Sequence, residues 1–183
     1  MQYNKLLAVF FIVLPLSGCF SGNTTKNSET PQAIQSTATG TLVIRPIIFD
    51  KDTFVRDAVR NECRLPEKTA EFTQQYANNQ YENILINNTT SPANAQILSM
   101  SIDNLSGSQG GAWSGGKMLS IKGVLKQNGK VLGNFKARRV SGGGFMGAYK
   151  GTCAILGRCT KTLGKDVAAW LQHPSKNAVL GDY

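Results

Sequence analysis

The sequence predicts an α+β fold, a two-layer sandwich in which helices cover one face of a mainly antiparallel sheet. Two segments carry this prediction: a long β-hairpin over residues 117–140 and an amphipathic helix that follows it. The chain has 183 residues, enough for one domain with a buried core and too few for two ordinary domains. Hydrophobic residues make up 41% of it and charged residues 17%, which excludes a disordered chain and a coiled coil.

The segments before the hairpin show both strand and helix patterns. They are a strand over Thr41–Phe49, a short helix over residues 52–62, a helix over Leu65–Ala77, a short strand over Tyr81–Asn87 and a strand over Ala95–Asp103. Pro46 indicates an edge position or a bulge in the first strand, because proline donates no ladder hydrogen bond. Pro66 suits the first turn of the helix that follows. In the last of these strands, alternation places Leu98, Met100 and Ile102 on one face.

Asn128-Gly129 marks the turn of the hairpin. A two-residue loop would pair Ile121 with Lys136 and leave both faces mixed. A three-residue loop, Gln127-Asn128-Gly129 with a left-handed glycine bulge, separates apolar from basic side chains. One face then holds Leu119, Ile121, Gly123, Leu125, Val131, Gly133, Phe135 and Ala137, and the other holds Lys122, Lys126, Lys130, Lys136 and Arg138. We predict the three-residue loop, because burial selects the register that separates the faces.

The last predicted element is a helix from about Thr152, its N-cap, to Gln172, where His173-Pro174 ends it. Its apolar stripe recurs at helical spacing and comprises Leu156, Cys159, Leu163, Val167 and Trp170. Such a stripe predicts that the helix lies against the apolar face of the sheet.

The amino terminus has the features of a secretory signal. Lys5 precedes an apolar run, Leu6–Leu16, that is shorter than the roughly 18–20 residues needed to span a bilayer. The run ends in Leu16-Ser17-Gly18-Cys19, which resembles the lipobox of bacterial lipoproteins. This resemblance implies cleavage before Cys19 and acylation of that residue, palmitate being a typical chain. Phe20, in place of a retaining aspartate, implies the periplasmic face of the outer membrane.

The domain organisation follows from this signal. We expect residues 1–18 to be the lipoprotein signal peptide and residues 19–40 to be the lipidated cysteine and a flexible tether. The tether is rich in Ser, Thr, Asn and Gln and has no apolar period, so it cannot bury enough surface to fold. We expect residues 41–183 to form a single periplasmic α+β domain.

The three remaining cysteines would lie in an oxidising compartment. Cys153 and Cys159 are about 9 Å apart along one predicted helix and on different faces, so they do not pair with each other. Cys159 belongs to the apolar stripe, where a thiol behaves as a small hydrophobic group. We therefore predict a disulfide between Cys63 and Cys153, with Cys63–Cys159 as the alternative.

The charge is uneven along the chain. The formal net charge is +9, and no acidic residue lies between Asp103 and Asp166. The candidate binding residues fall in this interval: Lys122, Lys126, Lys130, Lys136 and Arg138 on one hairpin face, and Trp113 in the glycine-rich segment 107–116. The basic face is either a solubilising surface or a contact for an acidic partner. Aromatic side chains do not alternate with these basic positions, so we expect no nucleic acid.

The sequence offers little for catalysis. It has a single histidine, His173, and no serine nucleophile elbow, paired-carboxylate cleft or metal-ligand cluster. Residues 111–117 match a phosphate loop by letter, but Met118 stands where Ser or Thr would hold magnesium. Residues 142–147 match a dinucleotide motif by letter, but no second parallel strand is predicted after them. We expect no enzymatic activity, no cofactor and no metal.

Four segments resemble an uncharacterised family of Gram-negative envelope lipoproteins. They are Cys63–Pro66, residues 110–117, Gly151–Cys153 and Asp166–Leu171. The order of elements is also loosely similar to periplasmic accessory domains of the TolB amino-terminal type. We therefore expect a non-enzymatic protein-interaction or accessory module of an envelope assembly. The alternative is a binder of anionic lipid, lipopolysaccharide or glycan through the basic sheet face.

Overall fold

Residues 40–107, 116–142 and 151–183 are described by a computed structural model. Their elements are β1 (Thr41–Ile44), β2 (Ile48–Phe49), α1 (Asp57–Glu62), α2 (Leu65–Ala77), β3 (Asn83–Ile86), β4 (Gln96–Ser106), β5 (Lys117–Gln127), β6 (Lys130–Ser141), α3 (Thr152–Gln172) and β7 (Ala178–Gly181). The predicted α+β fold with a mainly antiparallel sheet is confirmed. The predicted bounds of α2 and the predicted alternation in β4 are also confirmed.

The strands form one sheet in the order β3-β1-β4-β5-β6-β7, with β2 paired beside β4. The long central pairs, β4 with β5 and β5 with β6, are antiparallel. The outer pairs are parallel, because α1 and α2 connect β1 to β3 and α3 connects β6 to β7.

The first predicted strand is broken, contrary to the single strand over Thr41–Phe49. Residues 45–47 separate β1 from β2, and both strands pair with β4 in parallel. Pro46 lies in this gap, where its missing N–H leaves no ladder position empty. β1 itself lies between β3 and β4, so it is not an edge strand.

The predicted three-residue hairpin loop is wrong. Gln127 pairs with Lys130, so the turn has two residues, Asn128 and Gly129, with φ of 49° and 77°. A bulge at Leu132 then shifts the register, since Lys126 pairs with Val131 but Leu125 pairs with Gly133. Apolar and basic side chains are therefore separated by a bulge in β6, after the turn, and not by a bulge within the turn.

The separation of faces is otherwise as predicted, with two exceptions near the turn. Leu119, Ile121, Gly123, Leu125, Gly133, Phe135 and Ala137 are buried on the side of the helices. Val131, predicted on that side, pairs with Lys126 and is 43% exposed. Lys130, predicted on the basic face, pairs with Gln127 and lies on the opposite side. Both errors follow from placing the bulge in the turn.

The core lies between the sheet and the two longer helices, α2 and α3, which pack against each other. The predicted stripe of α3 is confirmed, since Leu156, Cys159, Leu163, Val167 and Trp170 are all buried. The ring of Trp170 meets that of Phe135 on β6 edge-on, with 4.8 Å between centroids. The N-cap of α3 is Gly151 rather than the predicted Thr152.

A disulfide joins Cys63, at the end of α1, to Cys153, at the start of α3, as predicted. The two Cα atoms are 4.8 Å apart and the residues are 90 apart in sequence. Cys159 is free and buried. Its sulfur lies 3.7 Å from the carbonyl oxygen of Lys117, and burial raises the pKa of the thiol.

β7 was not predicted from the sequence. It is four residues long and pairs in parallel with β6, with Phe135 opposite Ala178. Asn134 binds the main chain and side chain of Asn177, which aligns the incoming strand. Residues 142–147 therefore do precede a helix and a second parallel strand, contrary to the expectation above. Residues 143–150 lie outside the described part of the chain.

Candidate functional site

The face of β2, β4, β5, β6 and β7 that points away from α2 and α3 is called the open face here. Its side chains include Ile48, Ile97, Ser99, Ser101, Ser120, Lys122, Val124, Lys126, Val131, Asn134, Lys136, Arg138, Val140 and Val179. Four of the five predicted binding lysines and arginines lie on it: Lys122, Lys126, Lys136 and Arg138. Their position follows from strand alternation, because their neighbours along β5 and β6 are buried in the core.

One row of the open face crosses five strands. Ile48 pairs with Ser101, Ser101 with Lys122, and Lys122 with Lys136. Beyond Lys136 the row continues to Val179 on β7, which is 64% exposed. The row therefore has an apolar side chain at each end and two directly opposed lysines in it.

Asp50, which follows β2, neutralises one of these lysines. Lys122 Nζ lies 2.5 Å from Asp50 Oδ2. The hydrogen bond from Lys122 lowers the pKa of Asp50, and the same bond raises the pKa of Lys122. The side chain of Lys136 is exposed and makes no hydrogen bond or ion pair with any residue of the described ranges.

A groove of about 510 Å³ runs over this part of the sheet. The β1–β2 connection and β2 itself form one wall, with Arg45, Pro46 and Ile48, and Lys136 lies on the far side. Ser99 and Ser101 line the groove between these walls; their short side chains leave a depression. Arg45 is tied to the connection between β3 and β4, donating hydrogen bonds to the carbonyl oxygen of Asn88 and to Ser91 Oγ.

Asp182 and Tyr183, which follow β7, bind Arg138 and Arg139 near the end of β6. Arg138 Nε donates to the carbonyl oxygen of Asp182, and its guanidinium lies 4.4 Å from the centroid of the Tyr183 ring. The side chain of Arg139 lies on the other face of β6. It donates two hydrogen bonds of 2.7 and 2.8 Å to Asp166 and one of 2.7 Å to Asp182. The N–H of Val140 and the charge of Arg139 lower the pKa of Asp182.

Several solved structures are similar to this chain. The PelC dodecamer from Paraburkholderia phytofirmans in space group P6 aligns with a TM-score of 0.41 at 13% identity, over 70% of this chain and 88% of that chain. A variant of the same dodecamer in space group C2 gives 0.42 at 12%, over 71% and 86%. A Xanthomonas campestris protein of family DUF330 gives 0.46 at 7%, over 78% and 89%.

Similarity at this level assigns no function to the chain. No protein-family model matches the sequence. No curated protein matches it either.

The other predicted site residues have different outcomes. Lys130 lies outside the groove, because it pairs with Gln127 beside the hairpin turn and its side chain points to the opposite face. Trp113 and Cys19 lie outside the described residues, as do the signal peptide and nearly all of the tether. The structure therefore brings Lys122 and Lys136 together and separates Lys130 from them.

Sequence analysis missed Arg45, Ile48 and Asp50 as parts of the site. All three come from the first strand region, far from the hairpin in sequence. Pro46 was the one signal of this in the sequence. A proline within a strand pattern cannot donate to the hydrogen-bond ladder, so it indicates that the strand is interrupted there.

Two further observations concern metals and membranes. In the described ranges, no group of three or more His, Cys, Asp and Glu side chains could hold a metal ion. None of the helices in the part of the chain that the structure describes is long and apolar enough to cross a membrane.

Proposed function

We propose that this protein is a non-enzymatic docking module of the bacterial envelope that binds a protein partner through its open face. The observation that carries the proposal is the groove between the β1–β2 segment and Lys136, on a sheet face that neither α2 nor α3 covers. Apolar and basic side chains meet there, a combination typical of protein-binding surfaces.

The distribution of charge favours a protein partner over a bare anionic surface. Lys122 is bound by Asp50, and Arg138 is bound by Asp182 and Tyr183. Lys136 and Lys126 are left to attract an anion, fewer than the five positions that the sequence predicts. Ile48, 63% exposed, and Val179 offer apolar area beside them.

The envelope location rests on the lipobox at the amino terminus. Acylation of Cys19 would anchor the chain, since each buried methylene contributes about 0.8 kcal/mol. Palmitate labelling of cells should mark the wild-type chain and not Cys19→Ser, and the wild type should sediment with outer membranes. Labelling of the Cys19→Ser chain, or wild-type chain in the inner membrane, would contradict this location.

Photo-crosslinking in living cells tests the docking function. A photoreactive amino acid replaces Ile48 in one strain and Lys130 in a control, because both side chains are exposed but only Ile48 lines the groove. An apolar probe at position 48 also leaves the lysines of the groove in place. We expect one discrete protein adduct from position 48 and none from position 130. A third strain places the probe at Trp113, the predicted anchor of the glycine-rich segment. Absence of a protein adduct at position 48 would overturn the proposal.

The alternative function is binding of an anionic lipid, lipopolysaccharide or glycan. The direct opposition of Lys122 and Lys136 favours it, because two adjacent cations attract a multivalent anion. Contacts of this kind weaken steeply as salt screens the charges. Diffuse lipid or glycan adducts at position 48 that vanish at moderate salt would support this alternative over protein docking.

A further inference from the structure

Lys122 and Lys136 form an unusual cross-strand pair. They are directly opposite on β5 and β6, where like charges destabilise a sheet. Several other side chains of the same row and its neighbour are uncharged: Ser101, Val124, Asn134 and Val179. The repulsion is therefore concentrated at one place on the open face, beside the groove.

Asp50 neutralises the charge of only one lysine of this pair, Lys122. It lies next to Lys122, 2.5 Å from the ammonium group, and comes from the wall of the groove opposite β6. No described residue supplies a carboxylate to Lys136. A second carboxylate placed near Lys136 would complete an alternating arrangement of two acids and two lysines.

The groove beside Lys136 accepts side chains of moderate size. Its volume of about 510 Å³ lies within the range of roughly 300–1,000 Å³ typical of sites that bury small ligands. Ile48 and Val124 provide apolar contact on either side of Ser99 and Ser101. An aliphatic side chain would find its contacts within a few ångströms of the site for a carboxylate.

We infer that the groove binds a short protein segment in which an Asp or Glu residue stands beside an aliphatic one. The carboxylate would accept hydrogen bonds from Lys136 and Lys122, and the aliphatic side chain would lie against Ile48 and Val124. This inference rests on the proposed docking function and names the chemistry of the partner. A polyanionic lipid or glycan fits less well, because Asp50 adds a negative charge to the same groove.

Peptide display on the full chain tests this inference. A library of random dodecapeptides is selected on the detergent-solubilised protein, on Lys136→Gln and on Lys130→Gln. We expect peptides selected on the wild type to be enriched in Asp or Glu next to Leu, Ile or Val. The same enrichment should persist on Lys130→Gln and be lost on Lys136→Gln. A selected peptide should bind Lys136→Gln at least fivefold more weakly than the wild type.

Three outcomes would overturn the inference: no enrichment on the wild type, enrichment without acidic residues, or equal enrichment on Lys136→Gln. Its failure is distinguishable from failure of the docking function. A discrete protein adduct at position 48, together with selected peptides that lack acidic residues, would retain docking and reject the acidic segment. Circular dichroism of Lys136→Gln checks that the exposed substitution leaves the fold intact.

Discussion

Gly164 of α3 lies directly against Phe72 of α2. A β-carbon at position 164 would be 2.6 Å from Phe72 Cβ and 2.8 Å from the carbonyl carbon of the same residue. Carbon atoms in van der Waals contact are about 3.5–4.0 Å apart, so the two helices touch where α3 has no side chain. Gly157, two turns earlier on nearly the same side of α3, has open space around it.

The two glycines of α3 should respond oppositely to alanine. Gly164→Ala forces backbone atoms of α2 away and should lower the free energy of unfolding by about 2 kcal/mol, despite the better helix propensity of alanine. Gly157→Ala meets no atoms and should raise it by about 0.5–1 kcal/mol. Urea unfolding of both variants measures the difference. A stabilised Gly164→Ala variant would show that the helices are not in contact there.

The Cys63–Cys153 disulfide should be a major source of stability. It closes a loop of 90 residues, and loss of such a bond from a small secreted domain costs about 2–5 kcal/mol. The double variant Cys63→Ser, Cys153→Ser should unfold at correspondingly lower urea, and reductant should destabilise the wild type but not the variant. Cys159→Ala is the control, because Cys159 is outside the disulfide. If Cys159→Ala instead abolished the effect of reductant, the pairing would be Cys63–Cys159.

Arg139 should not be replaceable by lysine. Its two parallel bonds to Asp166 need the guanidinium fork, which an ammonium group cannot reproduce. We expect Arg139→Lys to lower the free energy of unfolding by about 1–2 kcal/mol. Arg64→Lys is the matched control, because the Arg64–Glu71 pair is 3.6 Å long and more than half exposed at both ends. Equal stability of the two variants would argue against a structural role of the Asp166 contact.

Tyr81 should make the stability fall at alkaline pH. Burial raises the pKa of its hydroxyl to about 12, above the ordinary value of 10.0. The unfolded chain therefore loses this proton first, and the stabilising contribution, complete below pH 10, is lost as pH rises toward 12. The free energy of unfolding, measured with urea between pH 9 and pH 12, should fall less steeply for Tyr81→Phe than for the wild type. Tyr183→Phe, at a residue 57% exposed, should decline as the wild type does.

Features that depend on neighbours within one element were predictable from the sequence. The bounds of α2, the apolar stripe of α3 and the alternation in β4 follow from helical and strand periodicity alone. The Cys63–Cys153 pair was predictable because Cys159 belongs to that stripe. The predicted division of the hairpin into two faces was correct for most residues, although the bulge was placed in the turn.

Those features of the candidate site that depend on distant partners were not predictable. Placing the bulge at Leu132 rather than in the turn moved Lys130 off the basic face. β7 is too short to show a pattern of its own and is held by Asn134 and by β6. Nothing near Lys122 in sequence indicates that Asp50 would reach it.

Local periodicity predicted most of the core-facing residues of α3, β4, β5 and β6, because side-chain direction repeats along a helix or a strand. The sequence also predicted that the hairpin carries excess positive charge. Which of those charges are neutralised depends on contacts between segments that are distant in sequence, since Asp50 follows β2 and Asp182 follows β7. The open lysine at position 136 is therefore a property of the assembled sheet, because an ion pair forms between atoms that are close in space whatever their separation along the chain.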